Sequence, residues 1–187
     1  MTFNKPQHTI WAMAFLDHRS EEILRDFFVQ GCGVKARLVV RNMHCTCYHA
    51  RRPIPGIADT EEPLEISVPG QELRMMVLAP GGENPRANIN PRDHPIGIRI
   101  RRANGAAEPI ESIRSRFLEL ETPSVLGKRL PSNRLRNAFG ARHFQPHITV
   151  LRSGSIVETD LSRIGSLLRS EVSEIRFDRL VVRYRSS

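Results

Sequence analysis

Met43-His44-Cys45-Thr46-Cys47-Tyr48 and Pro146-His147-Ile148-Thr149-Val150-Leu151 are the two stretches around which this 187-residue chain organises itself. Each sets a histidine two residues before a threonine inside an apolar, β-prone run. Successive side chains of a strand alternate faces. His44 and Thr46 should therefore share one face, as should His147 and Thr149, while Cys45, Cys47, Ile148 and Val150 turn into a core. With only 7 histidines in the chain, chance supplies fewer than one such His-x-Thr match. Two imidazoles can take a proton from a nucleophile and give one to a leaving oxygen near neutral pH. A threonine hydroxyl one strand repeat from each can hold a non-bridging phosphate oxygen. Two such units projecting from two sheets across a cleft would grip one phosphodiester from both sides. Strict alternation also places Tyr48 on the His44 face and His49 with the cysteines.

A metal centre built from His44, Cys45, Cys47 and His49 does not fit that geometry. His44 faces away from both cysteines, and no second cysteine pair exists to complete a tetrahedron. The expectation is no metal and no cofactor, with Cys45 and Cys47 as buried thiols. No Gly-x-Ser-x-Gly turn, Walker loop or dinucleotide glycine fingerprint is present.

Working outward, 28 Lys+Arg against 20 Asp+Glu give a net charge of +8, and Lys5, Lys35 and Lys128 are the only lysines. Arginine's planar fork suits phosphate, so a polyanionic partner is the natural inference. Lys128, Arg129, Arg134, Arg136, Arg142 and Arg152 follow one another without an intervening acidic residue and lead into the second His/Thr stretch. Arg134, Arg136 and Arg152 are thus candidate substrate contacts. A hydrophobic content of 40% is enough for a substantial core, and 187 residues suit a single domain. Three cysteines, an odd number, indicate no disulfide framework and fit a reducing cytoplasm. Thr9–Leu16 is too short to span a bilayer, and nothing reads as a signal peptide, so no membrane partner is expected.

The order of elements reads as strand, helix, strands, then helix, strand, helix, strand. Thr9–Leu16 is a buried strand, followed by a helix with Ser20 as its cap, an apolar stripe from Ile23 to Phe28, and Gly31 as its end. Residues 36–40 and 43–50 form a strand pair or one strand bent near Asn42. Pro53, Pro55, Gly56 and Pro63 make 52–63 a loop. Strands over 64–68, 72–79 and 96–101 enclose a proline-rich loop, 80–95, that is either a functional rim or surface decoration. Pro109 opens a second helix, a third runs from about 160 to 169, and 175–185 is a closing strand.

These residues resemble the two-histidine (2H) phosphoesterase superfamily, which includes 2′-5′ RNA ligase-like proteins and 2′,3′-cyclic nucleotide phosphodiesterases. Its pattern is a duplicated His-x-Thr/Ser-x, matched here by Asn42-Met43-His44-Cys45-Thr46-Cys47 and by Phe144-Gln145-Pro146-His147-Ile148-Thr149-Val150-Leu151-Arg152. The resemblance implies an α+β, bilobal domain over 1–187 with two antiparallel sheets lining a cleft, helices outside and a pseudo-two-fold axis. It implies that His44 and His147 are the general base and acid, and that Thr46 and Thr149 bind the phosphate. It further implies metal-free chemistry; the expected partner is a nucleotide or RNA substrate, and the expected state is a monomer. Tyr48 stands where members often carry a basic residue, and either stacks a base or lines the cleft. The alternatives are a hydrolase of cyclic oligonucleotide signals using the same site, or a non-catalytic RNA-binding module.

Overall fold

A computed structural model of the chain describes residues 10–50, 54, 56–78, 91–121, 144–155 and 158–185. Its elements are β1 (Ile10–Leu16), α1 (His18–Asp26), β2 (His44–Ala50), β3 (Thr60–Pro69), β4 (Leu73–Val77), β5 (Ile96–Ile100), α2 (Glu108–Glu121), β6 (His147–Leu151), α3 (Glu158–Glu171) and β7 (Glu174–Tyr184). The fold is α+β. The expected two sheets are instead one antiparallel sheet of seven strands, ordered β3-β7-β1-β2-β6-β5-β4.

The seam of that sheet lies between β2 and β6, the two strands that carry the His/Thr pairs. A single register pair, Cys45 with Ile148, joins them. The segment before β2 reinforces the joint by hooking onto the end of β6. Val39 bridges Leu151, Val40 N–H donates to the Val150 carbonyl at 2.8 Å, and Arg152 N–H donates to the Leu38 carbonyl at 2.8 Å.

One face of the sheet is core. The register lines up Leu180, Ala14, Cys45, Ile148, Ile98 and Met75 across six strands. Onto that row the helices press Leu24 and Phe28 of α1 and its extension, Ile110 and Phe117 of α2, and Ile164 and Leu168 of α3, all in one buried cluster. Burying a side chain of this size contributes roughly 1.5–3 kcal/mol. The sheet is therefore held from its helical side. The opposite face carries both His/Thr pairs.

Several local expectations shift for identifiable reasons. Asp17, not Ser20, caps α1: its carboxylate accepts the Ser20 N–H at 2.7 Å. Ser20 is buried instead, and its hydroxyl accepts the Arg176 N–H at 2.8 Å, tying α1 to β7. Residues 60–63 are strand despite Pro63, because β3 is an edge strand and its register shifts between Pro63 and Ile66, where a missing N–H costs little. Residues 36–38 form a 3₁₀ turn, and the chain reverses at Asn42 with φ of 55°. Gly70 has no alternative, since a Cβ there would lie 1.6 Å from the Val172 carbonyl oxygen. No helix among the described residues is long and apolar enough to cross a membrane.

Candidate functional site

Antiparallel pairing about Cys45 and Ile148 sets His44 on the side of Thr149 and Thr46 on the side of His147. The four residues thus form a block on the sheet face away from the helices, across the β2–β6 seam. Diagonal neighbours in such a pair lie ~7–8 Å apart, a span that one phosphate and its flanking oxygens can bridge. Rows extend the block on both sides. Arg179 and Phe15 run up to His44, and Arg74 and Arg99 run up to His147. Gly97 is the register partner of Thr149, and the Leu78 side chain fills the place a Cβ would take there, 3.1 Å from that position.

Both histidines are held in the same way. His44 Nδ1 is 2.9 Å from the Asn42 carbonyl oxygen, and His147 Nδ1 is 2.8 Å from the Gln145 carbonyl oxygen. A carbonyl has no proton to give, so in each case Nδ1–H donates and the neutral ring keeps its lone pair on Nε2. The same local bond, from residue i to the carbonyl of i−2, therefore leaves the same nitrogen of each ring for chemistry.

The two supports differ upstream. Asn42 presents its carbonyl by adopting the left-handed region, which asparagine tolerates better than most residues. The turn is clamped from α1: the Glu21 carboxylate accepts the Asn42 N–H at 2.9 Å and the Met43 N–H at 3.2 Å. Gln145 precedes Pro146, which restricts it towards extended backbone, and its side-chain oxygen accepts Arg99 Nη1–H at 3.2 Å. One residue thus holds both His147 and the guanidinium next to it. Beside His44 lies an aromatic ring instead, Phe15, at 5.0 Å between centroids, with the Arg179 guanidinium 5.2 Å from the Phe15 centroid.

Each motif contains a bulge at the residue after its threonine. On β2, Thr46 pairs with Met13 and Tyr48 with Ala12, so Cys47 is the extra residue. On β6, Thr149 pairs with Gly97 and Leu151 with Ile96, so Val150 is extra. A bulge resets the alternation. Tyr48 therefore joins the core face and His49, opposite Trp11, returns to the face of His44. The placement of Tyr48 in the cleft is thereby corrected. It is fully buried, stacked on Phe117 at 5.2 Å, and donates its hydroxyl to Glu121 at 2.6 Å. Burial pushes its hydroxyl well above the ordinary phenol range, with the Glu121 hydrogen bond adding to the shift. His49 is corrected in the opposite direction, from the cysteine face to the cleft. By the same count Arg152, exposed just beyond β6, follows Leu151 on the side of Thr149.

The β2 bulge has its own support from α2. Arg114, 4% exposed, donates Nη1–H to the Cys47 carbonyl at 3.2 Å, and its guanidinium stacks 4.3 Å from the Phe144 ring centroid. One buried arginine thus links the bulge of the first motif to the residues leading into the second. Cys45 and Cys47 are buried as expected. A hydrogen bond with Cys47 and burial push the Cys45 thiol well above its usual value, so it is no nucleophile.

Arg134 and Arg136 lie outside the described residues, as does the 80–90 part of the proline-rich loop. Sequence reasoning missed Glu21, Arg99, Gln145 and Arg114. Glu21 reads as an ordinary first-turn acid, and Arg99 as one of a run of strand arginines. Only Gln145, directly before a proline and two before a motif histidine, carried a local signal. Among the described residues no group of three His, Cys, Asp or Glu is placed to hold a metal ion. No protein-family model matches the chain, and no curated protein matches it.

Proposed function

We propose that the chain is a phosphodiesterase that opens 2′,3′-cyclic phosphates at RNA ends or on nucleotides, with His44 and His147 as its acid and base. The observation that carries this reading is the matched pair of Nδ1 hydrogen bonds, which leaves both Nε2 atoms for proton transfer beside two threonine hydroxyls. Water attacks phosphorus in line. One imidazole takes the water proton as the new P–O bond forms, and the other, protonated, gives its proton to the ribose oxygen as the old P–O bond breaks. Each transfer contributes typically ~10²–10⁴ in rate. Thr46 and Thr149 donate to the non-bridging oxygens, and Arg99 places a cation beside His147 that holds the anionic phosphate in ground and transition state alike.

On this reading β1-α1-β2 and β5-α2-β6 are counterpart halves about an approximate two-fold axis through the Cys45–Ile148 pair. Their matching bulges and matching histidine bonds support that equivalence.

The test is hydrolysis of 2′,3′-cyclic nucleotides and of a 2′-5′-linked dinucleotide in excess EDTA. Turnover should persist in chelator, follow a bell-shaped pH profile, and yield one phosphate regioisomer, which identifies the ribose oxygen facing the acid. Activity lost in EDTA and restored by zinc or manganese would overturn the mechanism. RNA binding without any turnover would leave a binding module as the better account.

A further inference from the structure

Beside His147 a pocket of ≈ 270 Å³ opens, walled by Arg99, Arg101, Arg102, Gln145 and Pro146. Its back wall, Gln145–Pro146, is the segment that leads into His147, and Arg99 is the register partner of that histidine. Its size lies just under the ~300–1,000 Å³ of sites that enclose a whole small molecule, so it suits one phosphate and part of a sugar.

Three arginines line this space, and against the carboxylates of Glu111 and Glu72 they leave it net positive. Arg102 is braced by Glu111 and by the Phe144 carbonyl at 2.7 Å, which fixes it as a wall. Arg101 is anchored by its backbone N–H, which donates to the Glu72 carbonyl at 2.9 Å. Its guanidinium stands 3.8 Å from the Glu72 carboxylate, beyond hydrogen-bond reach, with its side chain 41% exposed. Glu111 is taken up by Arg102, and the Glu72 carboxylate is shared among several cations. Arg74 is crowded by Arg169, Arg101 and Arg99, and burial together with this crowding pulls its guanidinium below the ordinary value. Like charges gathered around a concavity favour an anion there. Arginine forks favour a phosphate in particular.

We infer that this pocket is a second phosphate subsite, which takes the phosphate on the 5′ side of the nucleoside whose 2′,3′-cyclic phosphate lies between His44 and His147. The inference rests on the proposed phosphodiesterase reading and sharpens it: the favoured substrate is a phosphorylated nucleotide end, not a bare cyclic nucleoside phosphate. A 5′-phosphate can come from a free nucleotide or from the linkage of an RNA strand. The chemistry recognised is the same.

The experiment compares three substrates: a nucleoside 2′,3′-cyclic phosphate with a free 5′-hydroxyl, the same compound carrying a 5′-phosphate, and a dinucleotide ending in a 2′,3′-cyclic phosphate. Wild type should prefer the second and third over the first. Arg101→Gln should reduce that preference, as a ratio of kcat/KM values, by about tenfold, the effect of one charge-assisted contact. Arg101→Lys, which keeps charge but loses the fork, should fall between. Preference for the dinucleotide alone assigns the subsite to RNA strands, and equal preference assigns it to any 5′-phosphate. An unchanged ratio in Arg101→Gln overturns the subsite. If wild type turns over none of the three, the catalytic reading fails by itself, and binding of the labelled dinucleotide decides the subsite. Arg101-dependent binding, lost on removing the phosphate, would sustain it, and binding indifferent to Arg101 would overturn it.

Discussion

The His44 and His147 halves of the sheet reach the same end by different routes. Around His147 the support is local. Gln145, Pro146 and His147 are consecutive, and the Arg99 beside them comes from the neighbouring strand. Around His44 the support is tertiary. The Asn42 turn is held by Glu21, 21 residues earlier on α1, and the bulge beyond Thr46 by Arg114, 67 residues after Cys47. The flanking chemistry differs too, an aromatic ring beside His44 and a guanidinium beside His147. Equivalent output from unequal supports means that the two halves should fail differently when perturbed.

The largest effect should come from the histidines themselves. His44→Ala and His147→Ala should each lower turnover by at least ~10²-fold with the fold retained, because on the proposed mechanism each removes one proton-transfer partner. The double variant should lose less than the product of the two, since both act on one transition state. Full multiplicativity would mean that the halves act independently, and near-normal single variants would remove both from catalysis.

Threonine removal sharpens the comparison further. Thr46→Val and Thr149→Val should each cost about 1.5–3 kcal/mol in kcat/KM, the scale of a hydrogen bond to a charged group. Similar losses place the phosphate midway across the seam. A loss confined to one threonine would shift it to that half.

The supports should then separate kcat from KM. Glu21→Ala should lower kcat about tenfold by loosening the turn that aims His44. Nitrogen NMR of the His44 ring should show the Nδ1–H tautomer becoming mixed, with Glu21→Gln partly restoring it. Gln145→Ala keeps the carbonyl that holds His147 but removes an acceptor of Arg99. It should raise KM severalfold, within the ~0.5–1.5 kcal/mol of a typical hydrogen bond, with kcat little altered. Identical profiles for the two variants would collapse the distinction between the halves.

Tyr48→Phe should have the smallest effect. It should leave KM and kcat untouched and reduce stability to denaturant by about 1 kcal/mol, because the Glu121 carboxylate loses its donor. A rise in KM would put Tyr48 back in the cleft and contradict the bulge at Cys47.

Much of the fold was legible in short stretches. The apolar run of β1, Pro109 at the start of α2, the periodic stripes of the helices, and the alternation within His44–Thr46 and His147–Thr149 depend on neighbours one to four residues apart. That is the range over which backbone periodicity acts. Where strict alternation was carried past Thr46 it failed. The skipped residue, Cys47, is set by the register of β2 against β1, and its carbonyl is received by an arginine on another helix. Ser20 shows the same contrast. It has the chemistry of a cap, yet Asp17 fills that role because β7 needs the serine hydroxyl.

The identity and spacing of the two His/Thr pairs, their apolar flanks and the surplus of arginine were thus set by the chain as a string of residues. Tertiary structure alone decided that both pairs lie on adjoining strands of one sheet, that Tyr48 turns inward and His49 outward, and that Glu21, Arg99 and Gln145 surround the histidines. Strand order, register and bulges are settled by pairing between segments far apart in the chain. A one-residue slip in such pairing reverses every face beyond it, and no local pattern records that slip.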